Sequence, residues 1–96
     1  MLNNQIARMK QTIIGIPTAS LAALLGVNPN RVSLFVNGTK QLSNVEIVKL
    51  DALFDDLTQL VDCAKPWPIN WRDVQLIKEL LRRMKLGEFD RAKENS

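Results

Sequence analysis

The 96-residue sequence contains no histidine and no tyrosine, and a single cysteine. Without histidine the commonest general base is missing, and zinc sites of the Cys/His type are excluded on count. Cys63 has no partner for an internal disulfide; it reads as a small apolar side chain at a helix end. No apolar run approaches the ~20 residues that span a bilayer. The segment Met1 to Lys10 lacks the uninterrupted apolar core of a secretory leader. A cytoplasmic protein without a membrane partner is therefore expected. Neither a phosphate-cradling glycine loop nor a nucleophile–base set is present, so the sequence is not expected to encode an enzyme or to need a cofactor.

Carboxylates are also missing from nearly all of the first half. Residues 1–45 hold Arg8, Lys10, Arg31 and Lys40 and no acid, a local charge of +4. Residues 46–63 set Lys49 against Glu46, Asp51, Asp55, Asp56 and Asp62, a charge of −4, and residues 64–96 carry +3. A stretch without carboxylates presents nothing that repels a phosphate.

What is present is enough to fold. The composition is 46% hydrophobic and 24% charged, outside the range of disordered chains. Leu2, Ile6, Met9 and Ile13 recur at helical spacing and predict a first helix with one apolar face, capped by Asn3 or Asn4 and ended by Gly15 and Pro17. Thr18 follows a proline and reads as the cap of a short second helix that Gly26 stops. Asn28 caps a third, with Pro29 in its first turn, where a missing N–H costs nothing, and Asn37-Gly38 ends it. Ser43-Asn-Val-Glu46 is a capping box opening a fourth helix with Ile47, Leu50, Leu53, Phe54, Leu57, Leu60 and Val61 on one side. Lys65-Pro-Trp-Pro68 breaks the pattern. Asn70 then reads as the cap of a fifth helix, with Val74, Ile77, Leu80, Leu81 and Met84 as its stripe. The expected fold is all-α: a five-helix compact domain. Residues 1–64 form its main part, and residues 65–96 add a connector, a helix and a short tail.

The informative stretch runs from Thr18 to Gly38. Two short helices joined by a tight turn must cross closely, which requires a small residue at the crossing; Ala22 supplies it. The turn four residues on needs positive φ, and Gly26 supplies that. Val27 plugs the core after the turn, while Val32 and Phe35 face back from the second helix. This spacing is the steric recipe of a helix-turn-helix.

In the pairs Leu21-Ala22, Gly26-Val27, Val32-Ser33 and Asn37-Gly38 the segment resembles the helix-turn-helix of the phage repressor and Cro family of transcription regulators. The motif covers about a fifth of the chain, and the surrounding helix plan extends the likeness to about residue 60. From Trp67 onward nothing matches a pattern of that family. The resemblance implies a sequence-specific regulator, a repressor by type, that binds double-stranded DNA as a homodimer on an inverted repeat. Its second motif helix would lie in the major groove. Base contacts then fall to Pro29, Asn30, Ser33, Leu34 and Asn37. Asn30 suits the N6/N7 edge of adenine and Leu34 a thymine methyl. Pro29 departs from the family, whose members often carry a long polar side chain at that position. Thr18, Ser20, Arg31, Thr39 and Lys40 are the expected contacts to the DNA backbone.

The stripe from the last helix has two readings. Trp67, Trp71, Ile77, Leu80, Leu81 and Met84 form either a dimer surface or the lid of the monomer core. The rival functional class is a protein-binding module of the same fold: an antitoxin or a phage accessory protein acting mainly on a protein partner.

Overall fold

The computed structural model describes residues 2–64 and 69–87. Over them the chain forms five helices and no strand: α1 (Asn4–Ile14), α2 (Thr18–Leu25), α3 (Pro29–Val36), α4 (Asn44–Ala64) and α5 (Val74–Lys85). None is long and apolar enough to cross a membrane.

Capping sets most of the boundaries. The Asn3 side chain accepts from the Ile6 N–H, and Gly15 closes α1 in the left-handed region. Asn28 accepts from the Asn30 N–H with Pro29 in the first turn of α3. The Ser43–Glu46 box is reciprocal: the Glu46 N–H donates to Ser43 Oγ at 3.2 Å, and the Ser43 N–H donates to Glu46 Oε1 at 3.1 Å. Each such cap satisfies amide groups that the helix itself leaves unpaired.

Two caps differ from expectation. Thr18 is the first residue of α2, and Pro17 occupies the cap position. The Thr18 hydroxyl accepts instead from Gln11 Nε2 at 3.0 Å, an amide that also donates to the Ile16 carbonyl; this brace fixes the α1–α2 corner. Asn70 does not cap α5. Its side chain accepts from the Arg72 N–H within a turn, and the helix starts later, where Asp73 accepts from the Leu76 N–H.

The core runs through all five helices. Leu21, Ala22, Val32, Phe35, Leu50, Phe54, Leu57, Leu60 and Ile77 are fully or almost fully buried. Ala22 and Val32 are both 0% exposed, as the close α2–α3 crossing requires. Gly26, at φ 76°, turns the chain between them, and the Gly26 and Val27 amides both donate to the Ala22 carbonyl.

α1 is rotated relative to its sequence pattern. The predicted face included Met9 and Ile13, which are 53% and 76% exposed. The buried side is centred on Ala7, with Ile6 and Ile14 packed at its edges. A small side chain lets the helix axis come close to its neighbours, and this approach outranks the larger aliphatics.

The two readings of the α5 stripe divide by residue. Ile77 is 0% and Leu81 9% exposed within the single chain, and Trp71, Leu80 and Met84 pack against the same core. The assignment of Ile77 and Leu81 to a dimer interface is therefore corrected: both are covered within one chain and belong to the monomer core, while Trp71, Leu80 and Met84 pack at its edge with part of their surface left open. Trp67 lies outside the described residues. On the outer side of α5, Arg83 Nε reaches Glu79 one turn earlier at 3.2 Å, and Arg82 shares the same carboxylate. The Arg82 hydrogen bond first, then that of Arg83, hold Glu79 down to about 2.

After α3 the chain folds back. The Thr39 and Lys40 amides both donate to the Leu34 carbonyl, at 2.9 and 3.2 Å, with Gly38 at φ 80°. A Cβ on Gly38 would lie 2.8 Å from Asn4 Nδ2. Gly38→Ala is expected to cost about 1–2 kcal/mol, the left-handed penalty for an L-residue, with any displacement of Asn4 added to it. Chemical denaturation at equilibrium measures it; an unchanged midpoint would show that the turn has no such requirement.

Candidate nucleic-acid interface

α3 owes its orientation to its own sequence. Val32, Phe35 and Val36 are buried, so the opposite side must face out. Pro29, Asn30 and Arg31 are exposed in the first turn, Ser33 and Leu34 are half-buried in the second, and Asn37 is exposed at the C-cap. The predicted base-reading residues thus share one outward side, with the polar Asn30 in front and Leu34 behind it.

Leu34 lies in an open concavity of about 350 Å³. Asn28, Asn30, Arg31, Lys40 and Gln41 line it as well. Gln41 was missed by sequence reasoning, since nothing in a polar residue beyond a turn marks it. The fold-back onto the Leu34 carbonyl brings Lys40 and Gln41 to this side. Thr39 is exposed in the same turn.

Arg8 was also missed. Its Nη2 donates to Asn37 Oδ1 at 3.3 Å across 29 residues of sequence. The contact ties Asn37 to a cation from α1 at the C-terminal end of α3. Arg8, Arg31 and Lys40 thus surround the outward side of α3.

Arg31 is held in place by Glu46. Its Nη2 donates to Glu46 Oε1 at 2.6 Å, while Glu46 is only 14% exposed in its side chain. A guanidinium has five N–H donors in a rigid fork, so this contact leaves others directed outward. The pair is locally neutral, which leaves the net positive charge of this face to Arg8 and Lys40. The Glu46 carboxyl lies below its ordinary value of 4.5. The largest cause is the Ser43 backbone N–H, followed by the Ser43 hydroxyl; partial desolvation works the other way, and the Arg31 charge adds to the lowering. A carboxylate depressed in the folded state contributes stability above its unfolded pKa and loses it as pH falls through the folded value. A side-chain carboxyl NMR titration should therefore show Glu46 protonating below 4.5, and Arg31→Ala should move that midpoint up without abolishing the shift. A midpoint at or above the ordinary value would remove the anchoring role of Glu46.

On the α2 side the expected contacts divide. Thr18 is half-exposed and accepts from Gln11, so its own proton remains to be donated. Ser20 is 3% exposed. Its proposed contact to a DNA backbone is corrected, because the turn of α2 that carries it faces the core with Leu21 and Ala22.

No protein-family model matches the chain, and neither a curated protein nor a solved structure matches it.

Proposed function

We propose that the chain is a sequence-specific regulator of transcription that reads double-stranded DNA with α3, at an inverted repeat, and acts as a repressor. The observation that carries this reading is the outward side of α3: Asn30, Ser33 and Leu34 are presented together, flanked by Arg8, Arg31 and Lys40. An exposed amide and a half-buried aliphatic on a helix of eight residues supply the two contacts that recognise an A·T pair in the major groove, at adenine N6/N7 and at the thymine methyl. The cations alongside supply the phosphate contacts that fix register. Thr18 and the free amides at the start of α2 add a further phosphate position.

Crossing of α2 and α3 at Ala22 and Val32 holds α3 rigidly enough for such reading. Side chains on a packed helix keep their positions better than side chains on a loop. The acids Asp55 and Asp62, exposed on α4, lie on an element distinct from the reading helix.

Selection from a pool of randomised duplexes, followed by fluorescence anisotropy at two salt concentrations, tests the reading. The expected result is enrichment of one motif with two-fold symmetry and an affinity that falls steeply with salt through counterion release. Weak binding without enrichment would overturn it.

A further inference from the structure

α4 is covered on one side only. Ile47, Leu50, Phe54, Leu57 and Leu60 are buried, yet Val45 and Val48 stand 65% and 63% exposed on the first turns. Ala52 and Lys49 are exposed with them. These positions lie three, four and seven residues apart, on one outer stripe of the helix. Beside the stripe is an open groove of about 370 Å³ lined by Leu24, Leu25, Lys49, Ala52, Leu53 and Asp56. It continues past Leu24, Leu53 and Asp56 toward Leu81 on α5 as a further hollow of about 400 Å³. Exposed β-branched side chains and an open apolar groove on one helix are the kind of surface on which a partner docks.

We propose that a second copy of this chain occupies it, with the two α4 helices crossing antiparallel about Ala52 on a two-fold axis. Charge selects this occupant. Lys49 and Asp56 lie on one flank of the stripe, equally far in sequence from the point between Ala52 and Leu53. A two-fold axis through that point brings Lys49 of each copy to Asp56 of the other, forming two opposite-charge pairs. A parallel arrangement would set Lys49 against Lys49 and Asp56 against Asp56. Asp56 already lies 3.5 Å from Lys85 of its own chain, so its carboxylate would be shared between two ammonium groups. Ala52 at the crossing allows close approach. An interface built from one patch on both copies is isologous and closes at a dimer. It deepens the proposed function, resting on it only in that an inverted repeat calls for a two-fold protein.

Sedimentation velocity on the full chain tests the interface. The expected species is a dimer at micromolar concentration. Lys49→Asp would set a carboxylate against Asp56 of the other copy. It should weaken the dimer by about tenfold or more, with the helical circular dichroism and the melting temperature of the monomer unchanged. In a Cys63→Ser background, Ala52→Cys should form an interchain disulfide in a glutathione redox buffer, whereas Gln5→Cys on the exposed side of α1 should not. A monomeric wild type, or an Ala52→Cys cross-link no faster than the Gln5→Cys control, would overturn the proposal and leave the groove to a different protein. A dimer that resists Lys49→Asp would overturn it too. The two readings fail separately: a dimer that binds no DNA would leave this interface standing, and a monomer that binds single half-sites would leave the DNA reading standing.

Discussion

The Asn30→Ala/Ser33→Ala double variant should keep its fold and lose about 10- to 100-fold of its preference for the selected duplex over random DNA. Asn30 is exposed and its backbone N–H, not its side chain, is the group bonded to Asn28. Removing the amide therefore disturbs no internal contact. Ser33 is half-buried on the same outward side. Phosphate contacts are untouched, so the salt slope of binding should stay the same in the variant. Lys40→Ala and Arg8→Ala should behave in the opposite way. Each should weaken binding to every duplex similarly and reduce the slope by about 0.9, the share of one neutralised phosphate. Anisotropy titrations of specific and random duplexes at several salt concentrations separate the two effects. Equal loss on both duplexes in the double variant would show that α3 does not read bases.

Ile77→Ala should destabilise the entire domain by about 2–5 kcal/mol, the usual range for deleting a buried isoleucine side chain down to alanine. For a domain near 100 residues that corresponds to a melting temperature roughly 10–30 °C lower. The reason is position: Ile77 is 0% exposed and belongs to the same buried cluster as Leu57, Leu60 and Leu21. α5 thus covers the far half of α4 and touches α2 as well. The thermal transition followed by tryptophan fluorescence, to which half-buried Trp71 contributes, should coincide with the transition followed by helical circular dichroism. Loss of the α5 signal ahead of the rest, with α1 to α4 melting as in the wild type, would make the last helix an appendage.

Much of the architecture is written locally. Asn3, Asn28, the Ser43–Glu46 box and the left-handed Gly15, Gly26 and Gly38 act within a few residues of themselves, and such signals remain readable without a fold. The same holds for the outward side of α3, because burial of Val32 and Phe35 fixes the rest of an eight-residue helix. Where two local signals competed, sequence reasoning chose wrongly. Asn70 and Asp73 both suit a cap, and the turn at Trp71-Arg72 decided for Asp73. Pro17 could take the cap position of α2 because Thr18 was drawn to Gln11.

The sequence alone determined the helix count, the crossing at Ala22 and Val32, the turn at Gly26 and the acid-free charge of residues 1–45. Each depends on spacing or on the conformational freedom of single residues. Tertiary structure alone decided that Ala7, rather than Met9 and Ile13, faces inward, that Ser20 is buried, and that Ile77 and Leu81 fill the monomer core. It alone brought Arg8 to Asn37, Arg31 to Glu46 and Gln41 beside Leu34. The physical reason is common to all of these: an amphipathic stripe states that a face is to be buried, while the neighbour's shape determines which residues at its edges are covered. A side chain several turns away in sequence becomes part of a site only when packing fixes the distance between helices.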